Sequence, residues 1–221
     1  MKRRVRLVGN LKRKTAAIIK ILREEYPGAK ITLNYKNPLQ LLVATVLSAQ
    51  CTDKRVNIIT QKLFNKYRNI DDYARAKVEF FGQDIRSAGF FRNKAKNIIS
   101  AAQMIKNKFK NKMPNTMKDL TLLPGVARKT ANIILFNGFG KQEGVAVDTH
   151  VRRLSQRLGL TEYDQPEKIE RDLMQLVPRN IWGIFSDLLI EHGRAICMAR
   201  NPLCQRCVIN KVCNFYIKNR P

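Results

Sequence analysis

The sequence has few acidic residues and no long hydrophobic segment. Only 17 of its 221 residues are Asp or Glu. The longest apolar run covers residues 39–49 and includes Gln40, Thr45 and Ser48, so it is too short to span a bilayer. No apolar stretch of signal-peptide length follows the basic N-terminus. We therefore expect a soluble cytoplasmic protein without a signal peptide.

Basic residues greatly outnumber acidic ones. The 42 Lys and Arg residues give a formal net charge of +25 at pH 7, which is far more than solubility requires. A polyanion such as nucleic acid is the natural ligand for such a chain, and its binding should weaken with salt. Charge alone also leaves open association with a membrane surface or a ribosome. A hydrophobic content of 44% excludes a disordered basic tail.

The cysteines are too unevenly spread for a disulfide framework. Four of the five form a C-x6-C-x2-C-x5-C pattern, at Cys197, Cys204, Cys207 and Cys213. An intracellular cluster of this kind more often binds metal than forms disulfides. Four thiolates in one loop suit either structural zinc or a 4Fe-4S cluster, and the spacing alone does not decide between them.

Apolar residues recur at helical spacing along most of the chain. Helices are predicted in six regions, at residues 11–26, 39–50, 56–63, 98–109, 151–158 and 169–176. Asn37 and Pro38 are typical of a helix start, and Gly159 is typical of a helix end. The region 39–50 is apolar on most faces, which predicts a buried central helix. The predicted fold class is all-α.

A glycine turn between two apolar stretches is followed at once by Lys129. The segment 123–131 reads LPGVARKTA, and the free N–H groups of such a helix start can bind a phosphate. A neutral lysine amine can attack the anomeric carbon of a sugar and leave a Schiff base, which permits elimination of the 3′ phosphate. Burial, or a neighbouring cation such as Arg128, would favour the neutral amine. The alternative for Lys129 is a surface lysine that contacts phosphate.

Asp148 is the second catalytic candidate. A carboxylate facing the anomeric carbon would stabilise positive charge on the sugar and could accept a proton from Lys129. The pattern alone favours a different role, in which Asp148 caps the helix that ends near Gly159. The two roles are compatible, because one carboxylate oxygen can cap while the other faces the sugar.

Four motifs occur in order along the chain. They are LSAQCTD at 47–53, the turn at 123–132, VDTH at 147–150 and the four-cysteine loop. Together they resemble the endonuclease III family, DNA glycosylases and abasic-site lyases of the helix-hairpin-helix superfamily, over essentially the whole chain. The resemblance implies an all-helical, two-lobed fold with a 4Fe-4S cluster. Its parts would be a basic arm and helix on the cluster lobe at 1–30, a six-helix barrel at 31–142 with the hairpin near 117–138, and a C-terminal lobe at 143–221 with the cluster loop at 197–213.

The resemblance also implies roles for individual residues. Lys129 and Asp148 would be catalytic, in a monomer that removes oxidised or damaged pyrimidines from the duplex DNA of the nucleoid. Because the damaged nucleotide must leave the base stack, Gln50 would fill the vacated space and Phe90 would wedge into the stack. Further DNA contacts are implied for Gly125, Val126, Arg128 and His150. Without the resemblance, Gln50 is a polar residue at a helix end, Phe90 a core aromatic and His150 a helix-start residue.

Three details of the sequence leave alternatives open. The family usually has a second glycine in the hairpin, where this chain has Ala127. Alanine at positive φ costs about 1–2 kcal/mol, so either the hairpin shifts or Ala127 has ordinary helical angles. Phe91 competes with Phe90 for the wedge position. The basic residues at 2–6 and 12–14 are interpreted as a DNA-binding arm.

Two other functions remain as alternatives. A monofunctional mismatch glycosylase of the same fold is disfavoured by Lys129, because those relatives have other residues at this position. A non-catalytic DNA-binding module with a metal cluster would use Lys129 as a phosphate contact and Asp148 as a helix cap.

Overall fold

The computed structural model describes residues 2–219, with side chains from residue 9 onward, and this part of the chain contains helices and no β-strand. The all-α prediction is confirmed. The α-helices are α1 (Lys2–Glu25), α2 (Pro38–Leu47), α3 (Asp53–Lys66), α4 (Ile70–Ala74), α5 (Val78–Asp84), α6 (Phe91–Lys108), α7 (Met117–Leu120), α8 (Arg128–Phe139), α9 (Thr149–Leu158), α10 (Pro166–Leu176), α11 (Trp182–Ala195) and α12 (Asn214–Lys218). Short 3-10 helices occupy Arg86–Ala88, Arg179–Ile181, Cys204–Arg206 and Asn210–Val212.

The chain divides into two compact units. We call Thr32–Glu143 the central unit. The terminal unit combines the described residues up to Ile31 with those from Gly144 onward. The terminal unit therefore contains both ends of the chain, and it brings α1 into the same core as α9, α10 and α11.

The central unit is built around α2. Every residue from Leu41 to Leu47 is buried, as expected for the predicted central helix. The predicted start is confirmed, because the Asn37 side chain accepts a hydrogen bond of 3.0 Å from Gln40 N–H and Pro38 occupies the first turn. The predicted end at residue 50 is wrong. The helix stops at Leu47, and the chain turns with Gln50 in the left-handed region at φ 54°.

The terminal unit has an apolar core to which α1 contributes Ile18 and Leu22, both fully buried. Lys14, which belongs to the DNA-binding arm expected at 2–6 and 12–14, makes hydrogen bonds within the terminal unit. Its ammonium group donates to the Leu158 carbonyl oxygen and, at 2.7 Å, to Asn214 Oδ1. Lys14 therefore connects α1 to the end of α9 and to α12. The side chains of residues 2–6, the first segment of the expected arm, lie outside the described part of the chain.

Candidate active site and cysteine site

The predicted hairpin joins α7 to α8 through a turn that requires glycine at one position. Gly125 has φ +79°, and a Cβ atom at this position would lie 3.0 Å from Cβ of Asn97. The turn is anchored by Leu123 and Val126, which are both buried, and Val126 N–H donates to the Leu123 carbonyl at 3.1 Å. Any other residue in place of Gly125 would strain the backbone and push against α6.

Ala127 fits the hairpin without strain. Its φ is −82° and its ψ is 169°, so the residue is extended. The backbone of Ala127 therefore has neither the positive φ nor the helical angles considered from the sequence. Ala127 occupies the cap position of α8, where it offers no side-chain acceptor. The start of α8 consequently has no side-chain cap for its first N–H groups.

Lys129 is the second residue of α8 and its side chain is exposed. The burial considered for Lys129 from the sequence is therefore not found in the free protein. Arg128 precedes Lys129 and is also exposed, so a second positive charge is its direct neighbour in the chain.

Asp148 caps α9, as its sequence pattern predicts. Its Oδ1 atom accepts a 2.8 Å hydrogen bond from Val151 N–H, and its backbone carbonyl accepts one of 2.9 Å from Arg152 N–H. The residue is half-buried. Since the cap uses Oδ1 alone, the second carboxylate oxygen is not needed for the helix start.

His150 is half-buried between α9 and α11. Its Nδ1 atom lies 3.1 Å from Nη2 of Arg153, and Nη2 also donates to the Gly193 carbonyl at 3.0 Å. A Cβ atom at Gly193 would be 2.7 Å from His150 Nδ1, so α11 needs glycine there. Burial is the main cause that lowers the pKa of His150, and Arg153 and Arg194 lower it further against the raising effect of Asp148.

Gln50 and Phe90 share an unusual combination of exposure and backbone geometry. Both side chains are exposed, Phe90 at 66%, and both residues have positive φ, at 54° and 47°. Positive φ is rare and costly for residues other than glycine, and it often occurs where function requires it. Phe91 differs, because its ring lies against Gly82 of α5 and is partly buried. Of the two candidate wedges, Phe90 is therefore the one available to a ligand.

The four clustered cysteines line one cavity in the terminal unit, together with Arg157 and Phe215. Among the described residues, no three His, Cys, Asp or Glu side chains are grouped as ligands of a single metal ion. Four thiolates around one cavity would be able to hold a 4Fe-4S cluster, and they would also suit a structural zinc ion.

Two of the cysteine sulfurs lie within hydrogen-bond distance of a side-chain nitrogen. Nη1 of Arg157 donates to Cys197 Sγ at 3.3 Å, and Nε2 of His192 lies 3.3 Å from Cys207 Sγ. Burial lowers the pKa of His192 to about 4, so its ring is neutral at pH 7. A metal-bound thiolate only accepts, which makes Nε2–H the donor and leaves Nδ1 to accept from the Tyr26 hydroxyl at 3.0 Å.

Two of the thiols, those of Cys204 and Cys207, are stabilised in their protonated form when no metal is bound. Burial raises the pKa of Cys207 to about 11, and burial and the neighbouring cysteines raise the pKa of Cys204. Binding of iron must therefore displace protons from this site.

Comparison with known proteins identifies the family. Residues 43–179 match the HhH-GPD superfamily of base excision DNA repair proteins, and residues 197–213 match the iron-sulfur binding domain of endonuclease III. An endonuclease III from Synechocystis sp. is 50% identical over 95% of this chain and 95% of its own length. The chain belongs to the endonuclease III family. Another endonuclease III, from Bacillus subtilis, is 42% identical over 85% of this chain and 86% of its own.

A solved endonuclease III structure also matches. The structure of a trapped covalent intermediate of endonuclease III with DNA, an estranged-adenine complex, aligns with a TM-score of 0.89 and 40% identity, over 94% of this chain and 97% of that one. As a family member, the protein is a base excision repair enzyme with DNA glycosylase and abasic-site lyase activities. Its cofactor is a 4Fe-4S cluster, so the choice that the cysteine spacing left open is decided against zinc.

One further property follows from the helices. None of those in the described part of the chain combines the length and the apolar composition needed to cross a lipid bilayer.

Several residues that contact the cysteines, or the loops of Gln50 and Phe90, are not apparent from the sequence. Lys94, Arg157 and His192 donate or accept hydrogen bonds at the loops and cysteines described above. Charged residues in helices are ordinarily solvated, so nothing in their local pattern distinguished them. The long helix α11, which carries His192, was also missed, because Gly183 and Gly193 interrupt its helical propensity.

Proposed function

We propose that the protein removes oxidised pyrimidines from duplex DNA and cleaves the resulting abasic site, with Lys129 as nucleophile. DNA is its partner. The observation that carries the residue assignment is the position of Lys129, exposed at the second residue of a helix whose N-terminus has no side-chain cap. That position combines an amine with a binding site for the phosphate next to the damaged nucleotide.

The chemistry requires an amine rather than water. The Lys129 Nζ lone pair forms a bond to C1′ of the sugar, and the base leaves with the electron pair of the N-glycosidic bond and takes up a proton. Opening of the sugar ring gives a Schiff base on Lys129. Loss of a proton from C2′ then expels the 3′ phosphate, and water releases the enzyme. One residue thus accounts for base removal and for strand cleavage.

Asp148 is assigned to stabilise the positive charge that develops on the sugar as the base leaves. Its Oδ1 atom is used by the cap of α9, and the second oxygen remains for this purpose. Acceptance of the proton from the attacking amine is the second task we assign to it. Neighbouring His150 is assigned to contact the DNA backbone.

The remaining DNA contacts divide between extrusion and anchoring. Gln50 and Phe90 are assigned to replace the flipped nucleotide, since their exposed side chains are held on left-handed turns. Gly125, Val126 and Arg128 are assigned to the phosphate backbone through the N–H groups and the charge at the start of α8. These contacts carry no base specificity.

The cluster supplies no step of this reaction in our proposal. Its four cysteine ligands lie in a segment whose exposed basic residues include Arg206 and Lys211. Binding of the cluster would fix this segment as a basic surface for DNA. We assign a monomeric state and a location at the cytoplasmic nucleoid, where the substrate is found.

Borohydride trapping tests the central assignment. The enzyme with its cluster is mixed with a duplex that contains one abasic site or one oxidised pyrimidine, and sodium borohydride reduces any Schiff base to a stable adduct. The wild type should give a covalent protein–DNA band, and Lys129→Ala should give none. Lys118→Ala is the matched control, because Lys118 is an exposed lysine of the same hairpin in α7. An active wild type that gives no adduct would refute the lysine mechanism and favour a monofunctional enzyme.

A further inference from the structure

Lys94 is a buried lysine, and the burial of its charge requires an explanation. It lies in α6 and is only 5% exposed. Its ammonium group donates to two backbone carbonyls, those of Leu47 and Ala88, each at 2.8 Å. Removing an ammonium group from water is unfavourable, and two neutral carbonyls compensate less well than a carboxylate would. A methionine would fill the same volume without this cost.

The two carbonyls are far apart in the chain, and each lies two or three positions before an exposed residue with positive φ. Leu47 is the last residue of α2, three positions before Gln50. Ala88 ends a 3-10 helix, two positions before Phe90. The backbone N–H of Lys94 also donates to the Phe90 carbonyl at 3.2 Å. Three hydrogen bonds from one residue therefore hold the bases of both loops.

This arrangement fixes the distance between the two loops. Without the ammonium group, the Leu47 carbonyl at the end of α2 and the Ala88 carbonyl would each lose a buried donor. The hydrogen bonds through which one side chain joins the two loops would then be lost. Side chains that must enter a duplex together bind best when their separation is already set in the free protein, because no ordering is then required on binding.

We propose that Lys94 is a positioning residue that holds Gln50 and Phe90 at the separation needed to enter the base stack as a pair. The role rests on the proposed function, in which these two side chains replace the flipped nucleotide. Lys94 touches neither substrate nor reacting atoms. Its contribution is therefore confined to substrates that have a base stack and an unpaired opposite base.

The test compares two substrates that differ only in the partner strand. The enzyme with its cluster is assayed for cleavage of an abasic site in a duplex and in a single strand of the same sequence. Lys94→Met should lower kcat/KM on the duplex by roughly tenfold to a hundredfold, as expected for misplaced contact groups. Cleavage of the single strand, which offers no stack to enter, should stay within about twofold of the wild type.

A matched control excludes a general effect of lost charge in α6. Lys106 lies twelve residues further along the same helix and pairs with Asp71, remote in sequence from both loops. Lys106→Met should lower neither activity. Lys94→Gln provides a second variant if methionine prevents folding, because its amide can still donate to one carbonyl. Its loss on the duplex should be smaller than that of methionine, with the single-strand activity again preserved.

A double-mutant cycle gives a readout that a purely structural role would not change. If Lys94 acts through the two inserted side chains, Lys94→Met should have little further effect in a protein that already carries Gln50→Ala and Phe90→Ala. Additive losses, or equal losses on duplex and single strand, would overturn the positioning role. A wild type that traps on borohydride while Lys94→Met matches it on both substrates would refute this role alone. Absence of trapping in the wild type would refute the proposed function itself.

Discussion

Replacement of Asp187 by asparagine should stabilise the protein at neutral pH and have much less effect at acidic pH. Asp187 lies in α11, and burial raises the pKa of its carboxyl from 3.8 to about 7. Glu191 and Asp148 raise this pKa further, and Arg194 opposes them. Between the two values the folded protein holds a proton that the unfolded chain has lost. Stability must therefore fall as the pH rises through this window.

The expected change in the free energy of unfolding follows from the pH range between the two pKa values of Asp187. Each pH unit over which one extra proton is bound changes the free energy of unfolding by about 1.4 kcal/mol. The full window, from 3.8 to about 7, gives a limit of about 4 kcal/mol. Partial access of solvent reduces this value. We therefore expect Asp187→Asn to raise the free energy of unfolding by about 2 kcal/mol more at pH 8 than at pH 5.

Urea unfolding of the protein with its cluster measures this difference. Wild type and Asp187→Asn are compared at pH 5, 6, 7 and 8 by circular dichroism, with equal m-values as the condition for comparing stabilities. Glu162→Gln, which removes an exposed carboxylate from the same unit, is the matched control. The reasoning is wrong if the effect of Asp187→Asn is the same at every pH, because Asp187 would then titrate alike in the folded and unfolded protein.

Three further predictions concern the hairpin, the cap of α9 and the cluster. Asp148→Asn should keep the cap and the thermal stability but lose glycosylase activity, whereas Asp148→Ala should also lose about 1 kcal/mol of stability, seen as a lower melting temperature. Gly125→Ala should destabilise the protein by at least about 1–2 kcal/mol in thermal unfolding, while Ala127→Gly, at a position with negative φ, should give no gain. His192→Phe should shift the midpoint potential of the cluster to a more negative value in voltammetry, since it removes a donor to a thiolate sulfur; an unchanged potential would show that this hydrogen bond does not tune the cluster.

Several features of the structure follow from residues that are close together in the sequence. The cap at Asn37, the buried helix that follows it and the cap at Asp148 each depend on residues within one or two turns, and each is confirmed. Helix ends were less reliable. The prediction extended α2 to Gln50 because polar residues at a helix end carry no stop signal, whereas the structure ends it at Leu47.

The sequence by itself determined the helical class and the family, because the first follows from apolar spacing and the second from four motifs that occur in order along the chain. Tertiary structure alone decided which charged residues are buried and what they contact. Nothing in the sequence around Lys14 or Lys94 predicts an intramolecular partner, yet each donates to groups that folding brings from distant segments. The physical reason is that a long side chain can pair with any acceptor within reach of its tip, and such partners depend on how the helices pack rather than on neighbouring residues.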